Sequence, residues 1–92
     1  MSIQPNSPQA DKFKKDYKRV KKQHKDINDL RIVIEKLFAR EKLDVRCRDH
    51  KLFGRWDKYR ECHISPDRLL IYRIAGDDLI LVRTGSHSDL FR

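Results

Sequence analysis

The sequence is poor in apolar runs, and none of its segments reads as a membrane span or an export signal. No run approaches the roughly 18 apolar residues that span a bilayer, and the opening MSIQPNSPQA has neither a charged start nor an apolar core. The expected compartment is the cytosol. Cysteine is scarce: Cys47 and Cys62 stand without C-x-x-C spacing, which speaks against a zinc finger and against a disulfide framework. Acidic residues are outnumbered, 14 Asp+Glu against 22 Lys+Arg, for a formal net charge of +8 and a pI near 9.8. That balance favours a polyanionic partner such as nucleic acid or an acidic protein. A chain of 92 residues makes one small domain. It buries only roughly 60–65% of the surface of its unfolded form, so a functional site is expected on an open surface.

What is present divides into two halves. Ser7 followed by Pro8 is an N-cap and first helical residue, and Phe13, Tyr17, Val20 and His24 then recur at helical spacing. The rest of this helix is strongly basic, with Lys14, Lys18 and Lys22 on one line, either a solvated face or a phosphate-facing one. A second helix is expected from Asp26 or Asn28, its apolar face made by Ile27, Leu30, Val33, Ile34, Leu37 and Phe38. Residues 7–40 therefore read as an antiparallel helical hairpin, with residues 1–6 flexible or a short edge strand. The charged stretch from Ala39 to Asp49 is the connection onward.

Residues 50–92 read as sheet and tail. YRECHI alternates, and LLIYRI and LILVRT are β-branched and aromatic, separated by Ser65-Pro66-Asp67 and Ala75-Gly76-Asp77-Asp78 as turns. Ser86 is expected to cap a short last helical turn that ends at Phe91. The fold class is α+β, a helical pair covering one face of a small antiparallel sheet and leaving the other face for chemistry.

Three of the four histidines, His50, His63 and His87, fall in the sheet half, with Asp67 and Arg83, all near strand ends. Cleavage of RNA by attack of its own 2′-hydroxyl needs a base for that hydroxyl, an acid for the departing 5′-oxygen and a cation for the charge on phosphorus. Histidine suits both proton transfers near neutrality, and the arginine fork suits the phosphate. The scheme needs no metal. Imidazoles and a carboxylate are also good zinc ligands, but no H-x-x-x-H or similar spacing holds two of them together. Phe91 is either core or a ring on which a base stacks; Trp56 and Tyr59 carry the same two readings, with core packing favoured for Trp56.

DHKLFGRWDKYRECHISPDRLLIYRI followed by LVRTGSHSDLF resembles the YafQ branch of the RelE/ParE superfamily, the toxins of type II toxin–antitoxin pairs. The resemblance covers about half the chain, and the preceding hairpin suits the RelE-like architecture. It implies a ribosome-dependent endoribonuclease that cuts translated mRNA in the A site without a cofactor. His50, His63, Asp67 and His87 match its catalytic positions, His87 as the main acid/base. Arg83 matches its phosphate-binding cation and Phe91 its C-terminal aromatic, with Leu90 and Phe91 holding the tail beside the sheet. The lysine helix gains a reading as a contact to 16S or 23S rRNA. A DinJ-like antitoxin is the implied partner, the toxin alone being a monomer and the complex a heterotetramer or larger. Two departures stand out: only Ile3 is β-branched and apolar before Pro5, so a first strand is doubtful or very short, and the link from Ala39 to Arg48 lacks the family's proline-containing loop. Two other functions stay open. One is a gyrase-directed toxin of the same fold, and the other a non-catalytic RNA-binding module.

Overall fold

The computed structural model describes residues 2–3, 8–23 and 27–91. Its elements run β1 (Ser2–Ile3), α1 (Pro8–Gln23), α2 (Asn28–Phe38), β2 (His50–Lys51), β3 (Arg60–Ser65), β4 (Arg68–Ala75), β5 (Asp78–Gly85) and α3 (His87–Leu90). Short 3₁₀ turns at Val45–Cys47 and Gly54–Trp56 flank β2. The sheet order is β1-β5-β4-β3-β2, with β2 to β5 antiparallel and β1 lying parallel to β5. The first strand is thus present but two residues long, paired at Ser2 with Asp78 and at Ile3 with Leu79. Ser7 and His24 lie outside the described residues.

Period-2 patterning in β3 to β5 sends Cys62, Leu70, Tyr72, Leu79 and Leu81 to one face, where Leu30, Val33 and Leu37 of α2 cover them. Burying an aliphatic side chain of this kind contributes about 1.5–3 kcal/mol, so this seam carries most of the driving force. Phe38, expected on that seam, is 43% exposed as the last residue of α2.

Helix α1 lies along β5 and departs from its stripe in an informative way. Asp16 is buried although it belongs to the charged coat by sequence, and Arg19 is half-buried beside it. The reason is the edge of β5. Among the described residues β1 pairs with β5 only at Asp78 and Leu79, and no strand lies beside the far end of β5 on that side. Asp16 accepts the Thr84 N–H at 3.2 Å and Arg19 Nη2 donates to the Thr84 carbonyl at 3.2 Å. Two side chains one turn apart thereby satisfy both backbone groups of Thr84, which burial would otherwise leave unpaired.

Two bulges shape the sheet. Between His63 and Ser65 the register to β4 shifts, and between Ile71 and Tyr72 the register to β5 shifts, leaving Val82 as the extra residue. The second matters most. Leu81 pairs with Tyr72 on the helix-covered face, and strict alternation would place Arg83 opposite Leu70 on that same face. The bulge places Arg83 opposite Ile71 instead, on the other face.

Candidate active site

The face away from α2 carries a row that crosses four strands: His50 opposite Glu61, Glu61 opposite Ile71, Ile71 opposite Arg83. One step along, His63 lies opposite Leu69 and Leu69 opposite Gly85. Leu69 and Ile71 are buried, so polar groups stand around an apolar floor.

His50 is held at both ring nitrogens. Nδ1–H donates to the Arg48 carbonyl at 2.6 Å and Nε2 faces the Glu61 carboxylate at 3.1 Å. With a partner at each nitrogen, the ring is fixed in orientation between β3 and the Arg48 turn. Glu61 is the residue that sequence reading missed. It is buried, two positions before His63 and so on the same face, and the alternation in YRECHI was the available signal. The strand bearing His50 is anchored by its neighbour Asp49, which accepts the Tyr72 hydroxyl at 2.6 Å and Arg60 Nε at 3.2 Å. Desolvation and the bond to Asp49 push the Tyr72 phenol upward, which keeps it a donor. Desolvation of Arg60 acts downward, but its bonds to Tyr72 and Asp49 prevail and raise it.

Arg83 Nε donates to Asp16 Oδ2 at 2.6 Å and its Nη2 to Oδ1 at 3.2 Å, a bidentate pair. The hydrogen bond to Asp16 raises the guanidinium further, against a smaller desolvation effect. Nη1 is the nitrogen this pairing leaves over.

His63 and His87 approach each other, ring centroids 6.0 Å apart, and Phe91 lies 5.9 Å from His87. His87 opens α3, as sequence reading expects from Ser86. The Ser86 hydroxyl accepts Asp89 N–H at 3.2 Å while Asp89 returns the bond to Ser86 N–H at 3.3 Å, a capping box. Arg19 Nη2 lies 3.8 Å from Asp89 and pins this turn to α1. Gly85 makes the approach feasible: its φ is +152°, and a Cβ there would meet Arg19 Nη2 at 2.7 Å. Phe91 is 47% exposed, so it stands beside His87 as a partly open ring, with Leu90 next to it partly buried. Asp67 sits exposed in the β3–β4 turn, where its carboxylate accepts the Ser65 hydroxyl at 3.1 Å; among the described residues it contacts no histidine.

The structure therefore joins His63, His87 and Phe91 in one group and aligns His50 with Arg83 in another, leaving Asp67 at the margin. His63 also lines an open cleft of about 700 Å³ shared with Arg46, Arg48 and Ser65. Lys14, Lys18 and Lys22 are exposed on α1 and make no ion pair among the described residues. Trp56, read as core, is 46% exposed. Among the described residues no three of His, Cys, Asp or Glu converge as a metal site, and no helix is long and apolar enough to cross a membrane.

Residues 6–92 match a family described as the bacterial toxin of type II toxin–antitoxin system, YafQ. The chain is 37% identical over 90 residues to the mRNA interferase toxin YafQ of Escherichia coli strain K12, covering 97% of this chain and 98% of that protein. The E. coli DinJ–YafQ complex superposes with a TM-score of 0.83 at 34% identity, covering 99% of this chain and 96% of the other. A metal-bound toxin from Helicobacter pylori superposes with a TM-score of 0.84 at 40% identity, covering 99% of each.

Proposed function

The chain belongs to the YafQ family of bacterial type II toxins, and on that premise we propose that it is an endoribonuclease that cuts translated mRNA in the ribosomal A site. One observation carries the reading: His63 and His87 lie with ring centroids 6.0 Å apart and an exposed aromatic ring next to them. Two imidazoles at that separation can bracket one phosphodiester, one withdrawing the 2′-hydroxyl proton and the other protonating the 5′-oxygen. The bond formed is O2′–P and the bond broken is P–O5′, leaving a cyclic phosphate.

Arg83, always charged, takes the phosphate through Nη1 while Asp16 fixes the rest of its fork. His50, with both ring nitrogens already engaged by Arg48 and Glu61, positions the substrate beside Arg83 and leaves the proton transfers to His63 and His87. Phe91 offers a stacking surface for a base next to the scissile bond. Asp67 acts from the turn, through Ser65 or through substrate, since it touches none of the histidines. Lys14, Lys18 and Lys22 supply contacts to rRNA, which makes ribosome dependence a matter of affinity as well as of mRNA presentation. The protein works in the cytosol as one RelE-like domain. By analogy with DinJ and YafQ, which form a complex in E. coli, a DinJ-like antitoxin holds it inactive.

The test is a cell-free translation reaction with end-labelled mRNA, run with the wild-type chain, with His87→Ala and with ribosomes omitted. Cuts at in-frame positions that need both ribosomes and His87 are expected. Intact mRNA beside arrested growth and inhibited supercoiling would move the activity to gyrase.

A further inference from the structure

We propose that the loop between β2 and β3 is a second RNA-binding surface, separate from the catalytic face, on which Phe53 and Trp56 stack against unpaired bases while Arg55 and Lys58 hold the adjoining phosphates. The inference rests on the nuclease reading for its choice of RNA, and its test does not depend on cleavage.

The loop is a built feature. Leu52 N–H bonds the Tyr59 carbonyl at 3.0 Å and closes the base. Inside it Trp56 N–H reaches Phe53 O at 3.3 Å, Asp57 N–H reaches Gly54 O at 3.2 Å and Tyr59 N–H reaches Trp56 O at 2.9 Å. Gly54 adopts φ +67°, a left-handed conformation that lets the chain reverse there. A loop ordered by its own backbone bonds presents its side chains at little further entropic cost.

What it presents is unusual for a solvated turn. Phe53 is 87% exposed and Trp56 46% exposed. Trp56 meets Tyr59 at 5.4 Å with the rings inclined at 62°, so the two do not cover one another face to face. Arg55 and Lys58 are exposed, and neither makes an ion pair among the described residues. Asp57 is the one acidic residue between Leu52 and Tyr59.

Exposed rings interleaved with unpaired cations match a strand whose bases offer flat π-faces and whose backbone is anionic. An amphipathic protein helix would need a groove with aliphatic walls, and Phe53 to Lys58 include no aliphatic side chain. The loop also continues directly from β2, which carries His50, so an RNA crossing the His50–Arg83 row can run onto it.

Trp56 is the chain's one tryptophan, so fluorescence excited at the red edge, beyond tyrosine absorption, reads this loop alone. The protein is titrated with a short single-stranded 2′-O-methyl RNA, which cannot be cleaved, and in parallel with polyglutamate. RNA is expected to quench the fluorescence saturably. Phe53→Ala should weaken that binding at least about fivefold without moving the thermal midpoint, since its ring is mostly in water. Arg55→Ala with Lys58→Ala should flatten the plot of log affinity against log salt by about 1.4.

RNA that binds by anisotropy yet leaves Trp56 unquenched overturns the proposal. So does polyglutamate quenching that Phe53→Ala abolishes, which would make the loop a protein-docking surface. Quenching by RNA without any cutting of translated mRNA would keep this surface and remove the nuclease reading, whereas cutting without quenching does the reverse.

Discussion

Asp16 on α1 and Arg83 on β5, 67 positions apart in sequence, form a bidentate pair with a 2.6 Å contact, and Asp16 is almost entirely buried. One carboxylate thereby orients Arg83, the proposed phosphate-binding cation, and accepts the Thr84 N–H of β5. Positioning of the site and stability of the fold are coupled through it.

Asp16→Ala should therefore do double damage. It leaves Arg83 and the Thr84 N–H without their acceptor in a buried setting, which costs about 3–5 kcal/mol. In a domain of this size that is a fall in Tm of more than about 10 °C. Urea denaturation gives the loss in stability. Arg83→Lys, which keeps the charge and loses the fork, should fold better than Asp16→Ala and still cut mRNA poorly.

His87 and His63 should behave in the opposite way. His87 is exposed on a four-residue turn, so His87→Ala should leave the thermal midpoint almost unchanged. Cleavage of translated mRNA should drop about 10²–10⁴-fold. His63→Ala should fall by a similar factor. His50→Ala should lose less activity and more stability, because its ring is tied to Glu61 and to Arg48.

Alkaline pH should weaken the fold before it affects the charge of Arg83. Burial pushes the Cys62 thiol from 9.0 up to about 12. Between those values the unfolded chain has released the proton and the native chain retains it. Stability conferred by the neutral thiol is complete below about pH 9 and declines as pH rises, by up to about 1.4 kcal/mol per unit. The Tyr72 phenol, also shifted upward, adds to the decline above its ordinary value. Urea midpoints should be level from pH 7 to 8 and fall from pH 9, and Cys62→Val should make the fall shallower. Iodoacetamide at pH 8 should modify Cys47 and spare Cys62, the former being partly exposed and the latter buried.

Tyr72→Phe removes the hydroxyl that ties Asp49 to the sheet. The expected loss is about 1–3 kcal/mol, as for a charge-assisted bond in a part-buried setting. Since Asp49 immediately precedes His50, hydrogen exchange should rise at residues 49–51 while the β4–β5 pairing stays protected.

Much of the fold is legible in the residues. The 3.6-residue spacing of Leu30, Val33 and Leu37 and the alternation through Cys62, Leu70 and Tyr72 mark the helix and strands whose faces are buried, and Ser86 marks its own cap. Less legible are the positions where a side chain's environment comes from an element distant in sequence. Asp16 and Arg19 belong to a charged coat by pattern, and the Thr84 backbone and Arg83 of β5 draw them inward. Trp56 reads as core because large aromatics usually are, yet it is 46% exposed in a short 3₁₀ turn. Glu61 looks like an outward residue, as a carboxylate in a strand usually does, until its partner, His50, is placed opposite.

The residue types needed for the chemistry, the order helix, helix, strand, strand, strand, and membership of the toxin family follow from the sequence by itself, since composition, periodicity and motif are local properties. The tertiary structure decided which groups meet. A bulge at Val82 turns Arg83 from the helix-covered face to that of His50, and the Gly85 turn brings His87 to within 6.0 Å of His63. Register shifts and approaches of this kind depend on packing between strands and on satisfying buried backbone groups, which no spacing along a single chain records.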